Sequence, residues 1–416
     1  MTNKLSHKNF QSKFFERVWE NFCSQKFSQL PPPLPSSSPP LSSPLFSPSL
    51  FFMSYAFDLA KWGGNRVYPN PLVGALVVKN NKILGLGWHE YFGAPHAEVN
   101  ALNAAGKKAF GADLYVTLEP CSSFGKTPPC VDSIIAAKIR QVFIGAVDAN
   151  PQNSNRALSL LKKHGIEVQF LDFQRQHEEL NKVFLHALKN TLPYVQLKAG
   201  ISLDGKLQDS FGKSQWITGE KSGQKVQQLR QSVDGILIGA NTFNRDNPQL
   251  SLRPRFDFLK EPAKIIVSAS GRLNPRHTLL CKENEAPVIL CTTREGQAYL
   301  QSKVKNSKVQ FLIFSRKKKK LSVKNILKKL KTLGYYNILI EGGGDLFACF
   351  LKQKTLFQEL HLFLAPKVFG GLAKTWTGHS VLDGVDRSPA FDLNAMEKLD
   401  NDVYLRFSCS LVSSKT

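Results

Sequence analysis

The sequence predicts a two-domain α/β protein, and three observations carry that expectation. At 416 residues the chain exceeds one domain of usual size, so two hydrophobic cores are expected. Apolar strand-like runs alternate with helix-like stretches in two separate series, the pattern of sheets with helices layered on their faces. Residues 174–189, between the series, read as a single connecting helix. The expected division is an extension over 1–52, a first domain over 53–172, a connector over 173–193 and a second domain over 194–416.

In the first series, strands are expected over 72–78, 82–87, 114–118 and 142–147, with helices over 97–105 and 131–137. In the second, strands are expected over 194–199, 235–239, 264–267, 288–291, 337–340 and 360–364. The first fifty or so residues differ in kind. Lys4, Lys8, Lys13 and Arg17 lead into a Pro/Ser tract over 30–50 that cannot bury enough apolar surface to offset its ordering entropy, so disorder is expected there. A basic, Ser-rich start is compatible with a plastid transit peptide, whereas a start at Met53 fits a cytoplasmic protein.

Composition narrows the function classes. The formal net charge of +23 favours anionic partners: nucleic acid, an acidic membrane surface or small phosphorylated ligands. No apolar run reaches about eighteen residues, so a membrane-spanning helix is not expected. Seven scattered cysteines suggest a reducing compartment, in which thiols act as ligands or core fillers. The Lys-rich stretch 315–331 carries Leu321, Ile326 and Leu330 at helical spacing and reads as a solvated helix face.

The densest chemical signal is Pro95-His96-Ala97-Glu98 opening a helix, followed by Glu119-Pro120-Cys121 and Pro129-Cys130, with both cysteines read as lying near helix starts. One imidazole and two thiolates make the three-ligand set of an open catalytic zinc site, and the fourth position is left for water. Zinc lowers the pKa of its water to about 7. Glu98, two residues past the histidine, can stand beside that water without being a ligand and carry its proton to a leaving amine, as in the zinc nucleobase deaminases. A purely structural zinc would normally take four protein ligands. In the second half, Glu341-Gly342-Gly343-Gly344 follows a strand, but no G-x-G-x-x-G does, so a Rossmann dinucleotide site is not indicated.

These motifs together resemble the bifunctional riboflavin-biosynthesis deaminase/reductase family. The resemblance runs from Ser54 to near the C-terminus. It rests on Pro69-Asn70-Pro71-Leu72-Val73-Gly74, Gly87-Trp88-His89, His96-Ala97-Glu98, Thr117-Leu118-Glu119-Pro120-Cys121, Gly125-Lys126-Thr127-Pro128-Pro129-Cys130 and Asp148-Ala149-Asn150-Pro151, then Ser202-Leu203-Asp204-Gly205-Lys206 and Ser214-Gln215-Trp216-Ile217-Thr218-Gly219. It implies a cytidine-deaminase-like three-layer domain followed by a dihydrofolate-reductase-like domain that uses NADPH. By position, His96, Cys121 and Cys130 would hold zinc and Glu98 would be the proton shuttle. Asn70, His89, Lys126, Asp148 and Asn150 would bind the pyrimidine and ribosyl phosphate. In the reductase half, Gly200, Trp216, Thr242, Asp246 and Gly343 match cofactor positions, and Lys198, Ser214, Arg230, Leu250, Arg253 and Glu341 match substrate positions. The resemblance further implies a small phosphorylated pyrimidine substrate, a homo-oligomer, and neither nucleic acid nor membrane as partner. Four departures stand out: Ser123 replaces a usual histidine, 152–157 lacks the usual glycines, Asn247 replaces an aspartate and Ala269 a small polar residue. The competing readings are a nucleic-acid deaminase with a basic C-terminal module, and a deaminase joined to an inactive reductase-like partner.

Overall fold

Why the first series folds as a layered sheet is visible in its alternation. In the computed structural model, strand β1 (Gly74–Lys79) pairs antiparallel with β2 (Lys82–Trp88) and with β3 (Asp113–Val116), and β4 (Gln141–Ile144) and β5 (Glu167–Phe170) extend the sheet in parallel. The order is β2-β1-β3-β4-β5. Side chains alternate across a strand, so Leu76, Val78, Tyr115 and Phe143 fall on one face, while Ala75, Val77, Leu114 and Val116 fall on the other. Helix α1 (Pro48–Ala60) covers the first face; α2 (Ala97–Ala105), α3 (Cys130–Ala136) and α4 (Arg156–Lys163) cover the second. Glycine is required where helix and sheet approach most closely: a Cβ on Gly87 would lie 2.2 Å from the Ala97 carbonyl oxygen. That contact seats the start of α2 on the sheet.

The structure describes residues 47–150, 156–212, 217–254, 259–282, 285–317, 320–378 and 389–409. The basic and Pro/Ser-rich stretch up to residue 46 lies outside them. The tract was expected to run to 50, but Pro48 already opens α1, and Phe51 and Phe52 are buried in its core. Proline at the first helical turn loses no hydrogen bond, which is why the tract can pass directly into a helix. The connector also differs from expectation: it forms two helices, α5 (Gln174–Leu180) and α6 (Lys182–Lys189), broken at Asn181.

The chain divides into two compact units, Met1–Leu188 and Lys189–Thr416. The second is built on β6 (Tyr194–Ser202), α7 (Glu220–Gln231), β7 (Gly235–Gly239), α8 (Ala240–Asp246), β8 (Ala263–Val267), α9 (Thr278–Cys281), β9 (Val288–Thr292), α10 (Arg294–Gln301) and β10 (Val309–Ile313). A two-residue ribbon, β11 (Arg316–Lys317) with β12 (Lys320–Leu321), precedes α11 (Val323–Thr332), β13 (Asn337–Ile340), α12 (Gly344–Leu351), β14 (Glu359–Ala365), β15 (Phe391–Leu399) and β16 (Asp402–Cys409). Nine strands form one sheet in the order β10-β9-β8-β7-β13-β6-β14-β16-β15, parallel except for the β14-β16-β15 end. Its parallel strands are apolar on both faces, and α11 and α12 pack on one side, α8, α9 and α10 on the other. The Lys-rich stretch is helical only from Val323, with Ile326, Leu327 and Leu330 buried and its lysines on the outer face.

Candidate active sites

The first site is assembled by two helix starts. His96, extended at φ −75° and ψ 166°, caps α2, and Cys130 opens α3. Cys121 lies in irregular chain after β3 rather than at a helix start, which corrects the sequence reading. The α3 N-terminus still reaches it, because the Cys130 backbone N–H donates to its sulfur at 3.3 Å. The His96 Nδ1 atom faces both sulfurs, 3.2 Å from Cys130 and 3.5 Å from Cys121. All three ligand atoms lie within 4.8 Å of one another.

Electrostatics sort these groups. Cys121 is the acidic thiol, pushed down to about 4 by hydrogen bonding with Cys130, with His96 assisting. Cys130 is pushed up by sharing that hydrogen with Cys121 and by burial. Hydrogen bonding to Cys121 raises His96. Glu98, 3% exposed, is raised by burial to about 7 and hydrogen-bonds Cys130. One imidazole and two thiols converging in a buried pocket suit zinc in its three-ligand form, and the carboxyl that must gain and lose a proton stands beside them.

Of the remaining predicted residues of this unit, four form two pairs beside that centre and Lys126 stands apart. Asn70 Nδ2 lies 3.1 Å from His89 Nε2, and His89 Nδ1 lies 3.2 Å from the Pro95 carbonyl, next to His96. Burial pushes His89 down to about 4, so it is neutral at physiological pH. Asp148 accepts the Asn150 N–H at 2.8 Å and donates its own N–H to Glu119 at 3.4 Å, two residues before Cys121. Lys126 is exposed, with Nζ 3.9 Å from the centroid of Phe92. Sequence reasoning missed Phe92 and Tyr91, which receives Arg66 in the same way at 5.2 Å, because single aromatics in loops carry no pattern.

The second unit holds a cavity of about 640 Å³ at the C-terminal ends of its parallel strands. Lys198, Gly200, Arg230, Thr242, Asp246, Leu250, Glu341 and Gly343 all line it. Arg253 does not: it stands on the following loop, where its N–H bonds Gln227 at 3.0 Å. Ser214 and Trp216 lie outside the described residues. Arg230 grips Glu341 with two parallel hydrogen bonds of 2.7 and 2.8 Å. Burial would push the Glu341 carboxyl up, but Arg230 outweighs it and Lys198 adds to the effect, holding the group at about 2. Burial lowers Lys198 in turn. Helix α12 starts in the cavity wall at Gly343-Gly344, where a Cβ on Gly344 would meet the Thr375 carbonyl at 2.7 Å. Free N–H groups at a helix start suit the phosphates of a dinucleotide. Asn241, Arg245, Lys374 and Thr375 also line the cavity and were not singled out from sequence.

The first unit thus holds a cluster able to bind a metal beside a buried carboxyl, and the second a cavity of cofactor size on a parallel sheet. Comparison with known proteins agrees for both halves. Residues 47–146 match the cytidine and deoxycytidylate deaminase zinc-binding region, and residues 193–405 match the RibD C-terminal domain. The riboflavin biosynthesis protein RibD of Bacillus amyloliquefaciens is 40% identical over 77% of this chain and 85% of its own length. That of Aquifex aeolicus is 39% identical over 86% of this chain and 97% of its own. The Thermotoga maritima deaminase/reductase structure superposes with a TM-score of 0.76 at 34% identity, covering 87% of this chain and 99% of that one. The chain belongs to the RibD family of riboflavin biosynthesis. It is a bifunctional zinc deaminase and NADPH-dependent reductase, with a cytidine-deaminase-like unit and a dihydrofolate-reductase-like unit, as the motifs implied.

Proposed function

We propose that the two sites act in series on one phosphorylated pyrimidine: hydrolytic deamination of 2,5-diamino-6-(5-phosphoribosylamino)pyrimidin-4-one, then reduction of its ribosyl group to a ribityl chain. The observation that carries this reading is the buried His96, Cys121 and Cys130 cluster with Glu98 against it. These three residues would hold zinc, whose Lewis acidity supplies a hydrolytic nucleophile at neutral pH. Glu98 takes the proton from water and delivers it to the departing ammonia, a task suited to a carboxyl held near 7. Asn70 and neutral His89 hold the pyrimidine edge, with Asp148 and Asn150 on the ribosyl side and Lys126 leaving its ring to meet the phosphate.

In the second unit Gly200, Thr242, Asp246 and the Gly343 helix start would hold NADPH, which supplies the reducing equivalent. Trp216 and Ser214 belong to the same proposal by position. Lys198, Arg230, Leu250 and Glu341 orient the substrate, and Arg253, on the loop outside the cavity lining, belongs to the proposal by position alone. The pair of Arg230 and Glu341 keeps a fixed dipole in the cavity wall rather than a mobile cation. The same reading makes the partners small molecules rather than nucleic acid, the location cytoplasmic and the assembly a homo-oligomer. Among the described residues, no helix is long and apolar enough to cross a membrane.

A coupled assay tests both halves. Zinc-loaded full-length protein is given the diaminopyrimidine phosphate while ammonia release and NADPH oxidation are followed together. Ammonia first and NADPH consumption second is the expected order. Ammonia alone would reduce the second unit to a partner of the deaminase, and neither signal would overturn the assignment.

A further inference from the structure

The segment carrying Asn70 is poor in backbone hydrogen-bond donors. Pro69 and Pro71 have no N–H, and the Asn70 N–H is taken by the Val67 carbonyl at 2.9 Å. Leu72 then offers the next N–H and a carbonyl, and both go to a single side chain 109 residues away. Asn181 Oδ1 accepts from Leu72 N at 2.7 Å, and its Nδ2 donates to Leu72 O at 3.1 Å. Asn181 is 2% exposed and sits at the break between α5 and α6. Its own backbone is already satisfied, by the His177 carbonyl at 2.8 Å and the Leu185 N–H at 2.9 Å.

The contact is chemically selective. A primary amide of this length places a donor and an acceptor side by side; a carboxylate lacks the donor and repels the Leu72 carbonyl, and glutamine is one methylene longer. The second Nδ2 hydrogen meets His177 Nδ1 at 3.3 Å. That nitrogen must accept, so His177 is neutral and fixes which way the amide faces. Burial, which pushes His177 down to about 4, keeps it so.

On the other side, the same loop grips His89 at two points that bracket Leu72. Asn70 Nδ2 meets His89 Nε2 at 3.1 Å, and the Val73 carbonyl accepts the His89 N–H at 3.0 Å. A carbonyl only accepts, so the Pro95 contact puts the ring proton on His89 Nδ1 and makes Nε2 the acceptor from Asn70. One Asn70 N–H is thus committed, leaving its oxygen and second N–H to face the pyrimidine.

We propose that Asn181 is a positioning residue for the deamination: its amide sets the backbone at Leu72, and through it the orientation of Asn70 and His89 toward the substrate. The inference rests on the assignment of Asn70 and His89 to substrate binding. The residues that would hold zinc stand at the starts of α2 and α3 and on the chain after β3, none of them on this loop, so the clamp governs substrate affinity rather than metal retention.

The test uses zinc-loaded full-length protein and compares Asn181→Ala, Asn70→Ala and the double variant by ammonia release, alongside zinc content and reduction of already deaminated substrate. Asn181→Ala is expected to raise KM about tenfold, as for loss of buried hydrogen bonds, with a much smaller change in kcat and unchanged zinc content. The double variant should fall well short of the product of the two single effects, because Asn181 acts largely through Asn70. Asn181→Gln keeps both groups of the amide one methylene out of place and should give a smaller rise in KM; it also serves if Asn181→Ala does not fold. Additive KM effects, or loss of zinc and kcat with KM unchanged, would make Asn181 a fold element only and overturn the proposal. Should Asn70→Ala itself leave KM unchanged, the substrate role of Asn70 fails first.

Discussion

The two units solve the same problem, a charged site inside an α/β scaffold, by different means. The deaminase unit concentrates its chemistry at two helix starts and the chain after β3, where three side chains able to hold a metal ion converge with one carboxyl beside them. The reductase unit spreads its groups along the ends of several strands of one sheet, from Lys198 on β6 to Glu341 after β13, and adds a glycine helix start. Concentration makes a site that one substitution abolishes; dispersion makes one that degrades in steps.

The largest effect expected from that difference is metal removal. Stripping zinc with a chelator should end ammonia release while NADPH oxidation with deaminated substrate continues; parallel loss of both would show that the metal also supports the second unit. Glu98→Gln comes next. It keeps the size and the metal ligands but removes the proton shuttle, and deamination should fall by about 10²–10⁴-fold with zinc content intact.

Arg230→Ala probes the dispersed site. It leaves Glu341 without its partner in a pocket where burial pushes the carboxyl up, so the pair's loss costs on the order of 3–5 kcal/mol. NADPH oxidation should drop by about a hundredfold or more, and ammonia release should stay at its normal rate. Unchanged oxidation would remove Arg230 from the substrate site.

A truncation sharpens the comparison on the stability side. A chain starting at Met53 lacks Phe51 and Phe52, which are 7% and 3% exposed, with Phe52 packed 5.3 Å from Tyr115. Losing buried phenylalanines costs roughly 3–5 kcal/mol each, so the first unit should melt earlier than in a chain starting at Ser47. Equal melting temperatures would mean that the first turn of α1 contributes little.

The smallest effect expected is on pH dependence. Asp234 is buried and accepts the Tyr336 and Asn337 N–H groups. Burial raises its carboxyl from 3.8 to about 7. A raised pKa means that the contribution to stability is complete below 3.8 and is lost as pH climbs through about 7. Asp234→Asn should flatten the fall in stability of the second unit over that window, read by thermal melts across pH.

Legibility followed the same division. The candidate metal cluster could be read because helix starts fix spacing locally: His96 and Glu98 share one turn and Cys130 opens the next helix, whereas Cys121 stands in irregular chain. The parallel strands from β6 to β9, β13 and β14 were readable as apolar runs, since both their faces are buried, whereas the half-exposed edge strand β10 was not. The hairpin of β15 and β16 was not, because most of β15 faces outward and mixes Asp392, Asn394, Glu397 and Lys398 among its apolar residues. Helix α1 was hidden by the Pro/Ser tract that runs into it, and its phenylalanines carried no visible period.

What the sequence by itself determined is the chemistry: the zinc donor set, the carboxyl beside it, the strand-end glycines and the order of two α/β units. Those are carried by short motifs, within each of which spacing constrains geometry. Only the tertiary structure decided that Asn181 holds Leu72, that Arg230 pairs with Glu341, and that Lys374 shares a cavity with Thr242. Those contacts join residues separated by scores of positions. A single hydrogen bond leaves no periodic trace in a sequence, and its partners are set by how sheets and helices pack.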